Sequence, residues 1–462
     1  MVIAYIFIDF IYGGNIIFIM EARLKMKLYK QEPLSDKFAN LIKILESELK
    51  PATGCTEPVA VALAVAAAAE HLKGDAEKIT IEVDKNVFKN GKKVGIPGGF
   101  GTGLELAAAL GYLKRDQPKD LNILSYINDN DMENSKSIVS DGIIDLVLRK
   151  DFNGLEIRAT VEGKENKATC IIKDSHSNIT KIIIDDKEIL NKQGCQEVIT
   201  CTIDTLENYN FKDFYDFANE VPIDLLDIVK DAIKMNYDFF TEGMKNDDTF
   251  VEFQKNLMGK VEDIDDSTIS LYVKSVTSIG VYLRMKGIVS PVMSLGGSGN
   301  QGLVATLPVV TVGQYKNSPE EEIIRAVTLS YLVALYIKSK TGRLTPTCGC
   351  GVSAGAGASA GCAYLLHGKY ENVNNAVNMT LVSLFGLICD GAKKSCAFKV
   401  STCVQSAVEL AIMSLEGIKV EDHDGINLDK VEDSIANISV ISKNGLKELD
   451  SSLVDVLNNI SC

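Results

Sequence analysis

Residues 52–72 read ATGCTEPVAVALAVAAAAEHL, and this stretch decides the fold. From Val59 to Ala69 it holds no polar side chain over three helical turns. Alanine is the strongest helix former. A helix apolar on every face must be covered on every face, which takes a large core. Cys55 stands just before the helix, with Thr56 as the expected N-cap and Pro58 near the first helical position.

Working outward, residues 36–50 (DKFANLIKILESELK) place apolar positions at helical spacing, and Pro51 stops that helix. Downstream, KITIEVD at 78–84 alternates as a strand does. NGKK at 90–93 is a turn, and GIPGGFGTG at 95–103 is a glycine loop opening the helix LELAAALGYL. LEIRATVEG, KATCIIKD and TKIIIDD, between residues 150 and 190, alternate in a small antiparallel sheet of about three strands. Helix with an acidic surface returns over 205–290. PVMSLGGSGNQGLVATLPVV at 291–310 is a Gly/Ser/Asn loop between apolar runs. A helix over 319–339 then leads to TGRLTPTCGCGVSAGAGASAGCAYLLHG, whose Gly and Ala let helix backbones approach closely. Two further apolar helices follow, broken at Asp390-Gly391. The expected fold class is α+β: a mainly helical catalytic core with buried Ala/Gly-rich helices and a small antiparallel-sheet subdomain.

Composition narrows the function. The chain has 462 residues, 24% charged and 46% hydrophobic, with mean hydropathy near zero. That fits a soluble globular protein rather than a fibrous or disordered one. A net charge of −14 without a basic run disfavours nucleic acid and anionic membrane as partners. Residues 1–20 are apolar but interrupted by Asp9 and Gly13-Gly14, short of a membrane span. Residues 1–25 are read as a doubtful N-terminal extension, with the ordinary sequence starting near Met26. A membrane anchor there is the weaker alternative.

The chain has four histidines and no tryptophan, so a site built mainly of histidine ligands is not expected. It has eleven cysteines, six of them between residues 348 and 403. An odd count argues against a complete disulfide framework. Clustered thiols point to a reducing compartment, taken as cytoplasmic, and to a thiolate-ligated metal. CGC at 348–350 followed by single cysteines excludes a two-CxxC zinc ribbon. A cluster held by three thiolates fits better, from Cys348 or Cys350, Cys389 and Cys396. On one straight helix the seven residues from Cys389 to Cys396 span about 10.5 Å. Gly391 offers a helix cap that folds the chain back between them. Cys403 is expected on a core face. N–H groups near Gly349, Gly351 and Gly391 are candidate donors to cluster sulfurs.

Cys55, at a helix start, is expected to have a lowered pKa and to act as base or reactive thiol, with Glu57 as a rival. Neither glycine loop is a dinucleotide fingerprint or a P-loop. Both are expected to offer N–H groups to a small anion such as a carboxylate. Ser298, Asn300 and Gly302 are the candidate substrate donors, with Gln301 adding a side chain. Lys393 and Arg343 are looser candidates.

GCTEPVAVALA, IPGGFGTGLELAAALG, GSGNQGLVATLPV, PTCGCGVSAGAGASAG and CDGAKKSCAFK stand in the order seen in the L-cysteine desulfidases. The chain resembles that family from about Lys43 to Leu415. The family is similar to the α-domain of the iron–sulfur L-serine dehydratases. The resemblance implies a serine-dehydratase-α-like catalytic domain over 26–462, with an α+β insertion at about 120–275. It implies one [4Fe–4S] cluster per subunit on Cys389, Cys396 and one of the CGC pair. Cys348 is chosen, and Cys350 stays open. It implies Cys55 as proton acceptor, L-cysteine as substrate, and pyruvate, sulfide and ammonia as products without pyridoxal phosphate. A homo-oligomer is possible. The alternatives are an L-serine dehydratase of the same mechanism and a non-catalytic iron–sulfur redox sensor. Cys462 is a candidate fourth ligand or removable cap.

Overall fold

A computed structural model describes residues 34–98, 101–152, 154–192, 203–260, 264–343 and 345–459. The extension at 1–25 and Cys462 lie outside the described residues. The chain divides into two compact units, residues 1–43 and 44–462. Helix α1 spans Asp36–Glu48.

In the larger unit the chain runs through β1 (Leu49–Thr53), α2 (Thr56–Ala69), β2 (Ala76–Val83), α3 (Lys85–Gly91), α4 (Leu104–Leu113) and α5 (Asp129–Ser140). Five strands follow: β3 (Ile144–Leu148), β4 (Glu156–Gly163), β5 (Lys167–Lys173), β6 (Ile179–Ile184) and β7 (Lys187–Asn191). Next come α6 (Phe211–Glu220), α7 (Asp227–Gly243), α8 (Thr249–Gly259), α9 (Ile269–Lys286), β8 (Pro291–Leu295), α10 (Gly299–Tyr315) and α11 (Glu320–Thr341). The last helices are α12 (Gly355–Leu365), α13 (Tyr370–Leu384), α14 (Cys396–Leu415), α15 (Val431–Val440) and α16 (Lys447–Asn459). The result is a mainly helical α+β fold.

Every residue of α2 is buried, as its composition demands. It packs on α4 and on strands β4 and β5. Gly111 of α4 lies against the Ala62 carbonyl of α2, where a Cβ would collide. Gly111→Ala should therefore push the two helices apart and cost about 1–3 kcal/mol, read as a lowered melting temperature.

The main sheet has six strands in the order β3-β2-β4-β5-β6-β7, with β2 and β3 parallel and the other pairs antiparallel. It is larger than the three strands expected from residues 150–190. Alternation marks a strand but not its neighbours, so β2 was not recognisable as a member of that sheet.

The second helical layer is built on close contacts between small residues. Gly357 and Gly361 of α12 face the Ser330 and Ala326 carbonyls of α11, one helical turn apart. Among the described residues, one helix, α14, is long and apolar enough to cross a membrane by length and composition. In this fold it packs on α9, α12 and α13. A small two-stranded sheet pairs β1 with β8, setting Thr53 opposite Pro291 and Leu49 opposite Leu295. The pairing sets Glu48 beside the turn that follows β8, where the Gly296 N–H bonds to the Glu48 carbonyl at 3.0 Å, and Thr56 of the GCTEP segment reaches the same turn through its Oγ1, 3.3 Å from the Gly297 carbonyl.

Candidate active site

Cys55 is the residue that caps α2, one position earlier than the spacing suggested, and Pro58 is the third helical residue. The Cys55 thiol is 4% exposed and donates to Glu57 Oε2 at 2.9 Å. Thr56 Oγ1 donates to the same oxygen at 3.2 Å, and Asn90 Nδ2 donates to Oε1 at 2.9 Å. Burial raises the Cys55 pKa well above the ordinary thiol value, the Glu57 charge adds to that, and Arg284 opposes it. Burial also pushes Glu57 upward, but His176 and the bonds from Cys55 and Asn90 outweigh it, so Glu57 stays below the usual value. The expected low-pKa thiol is thus corrected. Desolvation and a neighbouring carboxylate outweigh the helix terminus, so the proton sits on Cys55 and the charge on Glu57.

His176 enters from the turn between β5 and β6. Its Nε2 is buried and finds no partner among the described residues. A Cβ at Gly297 would stand 3.9 Å from its Nδ1, so the ring lies over the turn after β8. Burial lowers its pKa, Glu57 opposes that, and Lys338 and Arg343 reinforce it. The sequence offers Cys55 or Glu57 for proton transfer and does not single out His176. A lone histidine in a hairpin turn has no neighbour in sequence that marks it.

The turn after β8 carries the substrate candidates. Ser298 caps α10, its Oγ accepting from the Gln301 N–H at 3.4 Å. Asn300 Oδ1 accepts from Arg284 Nη1 at 3.0 Å, while Arg284 Nη2 donates to the Gly54 carbonyl at 2.6 Å. Asn300 therefore holds Arg284 with its side chain. As first-turn donors, the N–H groups of Gly299 and Asn300 have no intrahelical partner. Gly302 differs from its expected role. Its N–H is bonded to the Ser298 carbonyl at 3.0 Å, and its Cα lies against the Met293 carbonyl. It is a packing glycine, with no donor left for substrate.

The first glycine loop is corrected in the same way. The Gly98 N–H bonds to the Gly287 carbonyl at 2.7 Å, Ile96 N–H to Gly101, and Gly103 N–H to Val94. A Cβ at Gly54 would stand 2.5 Å from Pro97, so the described part of the loop braces the GCTEP turn and spends these three N–H groups on the chain itself. Arg343 makes two bonds to Glu48, at 2.8 and 2.6 Å. Lys393 pairs with Asp390 at 2.7 Å and braces the 390–391 turn.

The thiols converge from two segments. Cys348 N–H bonds to the Leu387 carbonyl at 2.7 Å and Cys389 N–H to the Pro346 carbonyl at 2.8 Å, which ties the CGC segment to the chain after α13. That helix ends at Leu384, earlier than the expected break. Gly391, at φ 98°, then turns the chain against the Lys89 carbonyl, and Cys396 opens α14. The Cys350 thiol donates to Cys348, the largest influence lowering the Cys348 pKa, and the Gly351 N–H adds to it. Burial raises Cys389 and Cys396, with the neighbouring sulfurs adding to both. The Gly391 N–H donates to the Cys389 sulfur. Cys403 is fully buried against Gly351.

Among the described residues, no three His, Cys, Asp or Glu side chains stand at the spacing that one metal ion needs. A polynuclear iron–sulfur group meets each thiolate with a separate iron, so its ligands stand farther apart than those of one ion. Four converging thiols with their carboxylate neighbour, Asp390, already paired to Lys393 and Lys399 are a donor set of that kind. Helix α3 links this set to the Cys55–Glu57 pair: Asn90 bonds Glu57, and the Lys89 carbonyl backs Gly391.

An acid–base pair linked through α3 to a set of thiols is the equipment of an elimination enzyme. Residues 118–455 match the family model described as serine dehydratase alpha chain. A UPF0597 protein of Clostridium tetani is 36% identical over 421 residues, covering 90% of this chain and 97% of that protein. A UPF0597 protein of Clostridium perfringens is 36% identical over 416 residues, with the same two coverages. One from Clostridium botulinum is 35% identical over 443 residues, 95% of this chain and 99% of that protein. The class is that of serine-dehydratase-like lyases. The chain belongs to the serine dehydratase alpha chain family.

Proposed function

We propose that the protein is an iron–sulfur-dependent lyase that cleaves L-cysteine to pyruvate, sulfide and ammonia. The observation that carries this is the buried Cys55–Glu57 pair, 2.9 Å apart and linked through α3 to the thiol set. Cys348, Cys389 and Cys396 would hold a [4Fe–4S] cluster, with Cys350 the rival of Cys348. When bound, the cluster supplies a Lewis-acidic iron that weakens the substrate C–S bond.

The protein's own residues handle the protons. Cys55 passes its proton to Glu57 and, as thiolate, takes the proton from the substrate Cα. The C–S bond breaks and sulfide leaves with its electron pair. The pair then holds one proton more than at the start, and returns it to the enamine carbon. The imine hydrolyses in water to pyruvate and ammonia. Asn90 and Thr56, donating to Glu57, stabilise that carboxylate while Cys55 holds the proton.

L-Serine is the second reading. A hydroxyl leaving group needs protonation, and the protonated Cys55 thiol favours that chemistry. Anaerobic reconstitution with iron and sulfide, followed by assay of both substrates, separates the two. Sulfide and pyruvate in equal amounts from L-cysteine are expected. A cluster-loaded protein that releases no sulfide refutes the cysteine reading, and pyruvate from L-serine alone selects the alternative.

A further inference from the structure

Lys338 lies in the last turn of α11 and is 3% exposed. Its ammonium reaches the turn after β8 and donates to the Gly296 carbonyl at 2.9 Å. An ammonium has three donors. Among the described residues no carboxylate lies within bonding distance of this one.

The charged and titratable groups facing it are Arg343, Glu48, Glu57, Cys350 and His176. Both acids are engaged elsewhere. Glu48 takes two bonds from Arg343, and Glu57 takes three from Cys55, Thr56 and Asn90. Arg343 has the same sign as Lys338. A cation is thus held out of water without a counter-ion of its own, which is unfavourable unless something else supplies one. Burial, with Arg343 adding to it, brings the Lys338 pKa down to about 8.

Other groups around the same turn are also unpaired. Arg284 Nε, Gln301 Oε1 and His176 Nε2 are buried without partners among the described residues. The first-turn N–H groups of α10 open there too, a backbone site that favours an anion.

We propose that Lys338 is the counter-ion of the substrate carboxylate, binding a small α-amino or α-keto acid over the turn at Gly296–Ser298. The choice of substrate class rests on the proposed lyase activity, but the test needs no turnover. Calorimetric titration of the full chain with pyruvate reads the site directly, and uncharged methyl pyruvate serves as control. Lys338→Gln keeps a donor for the Gly296 carbonyl and removes the charge. Lys338→Arg keeps the charge.

Lys338→Gln should weaken pyruvate binding roughly tenfold to a hundredfold, as for a lost charge-assisted bond. Its circular dichroism should match the wild type, and methyl pyruvate should bind both alike. Lys338→Arg should recover most of the affinity. Unchanged pyruvate binding by Lys338→Gln overturns the proposal, as does no pyruvate binding by the wild type. If Lys338→Gln does not fold, Lys338→Arg decides: a folded Arg variant that no longer prefers pyruvate over methyl pyruvate overturns it. Pyruvate binding through Lys338 in a protein that releases no sulfide from L-cysteine refutes only the desulfidase reading.

Discussion

Cys55→Ala is expected to reduce sulfide release by about 10²–10⁴-fold while the reconstituted protein stays brown, because a general base contributes that much to a proton transfer. The Cys55 sulfur is bonded to Glu57, an acid, whereas the thiols of Cys348, Cys389 and Cys396 act on one another. Removing the sulfur therefore takes away the proton carrier and leaves the thiol set untouched. Only one buried heavy atom is lost, so the melting temperature should fall little. Glu57→Gln should lose nearly as much activity, since an amide cannot take the thiol proton. The assay is sulfide release under anaerobic conditions, with visible absorbance as the cluster reading. If Cys55→Ala bleaches that absorbance, Cys55 is a ligand and the proton transfer belongs elsewhere.

The second large effect distinguishes the two cysteines of the CGC loop. Cys348→Ala, Cys389→Ala and Cys396→Ala should each abolish cluster absorbance and activity together, whereas Cys350→Ala should retain the colour. Two backbone bonds clamp the Cys348 segment to the Cys389 segment, from Cys348 N–H to Leu387 and from Cys389 N–H to Pro346. The Cys348 sulfur accepts from both the Cys350 thiol and the Gly351 N–H, which suits a sulfur that carries negative charge. Cys350 is the donor in that pair and also faces Lys338. Bleaching in Cys350→Ala with colour kept in Cys348→Ala reverses the assignment.

Much of this was legible along the chain because it depends on local pattern. The all-apolar α2 had to be buried on every face, and it is. Glycines at 357 and 361 had to mark a close helix contact, and they face α11. The cysteines that the spacing singled out, Cys348 or Cys350 with Cys389, lie on segments that two backbone bonds tie together. Other features were hidden because their causes lie far away in sequence. Gly302 stands in an anion-binding pattern, yet its N–H is consumed by the helix and its Cα by β8. The first glycine loop has the composition of an anion site but turns the N–H groups of Gly98, Ile96 and Gly103 to Gly287, Gly101 and Val94.

The sequence by itself determined the helical core, the clustering of the cysteines along the chain and the place of Cys55 at a helix start, since helix periodicity and residue size are properties of short segments. Only the tertiary structure decided where the proton and the charge of the site reside. Electrostatics depends on distance and burial rather than on order along the chain. Folding places Glu57 and a dry surrounding around Cys55, so the thiol keeps its proton. It brings His176 to the turn after β8 and sets Lys338 on the Gly296 carbonyl of the same turn, with no carboxylate partner among the described residues.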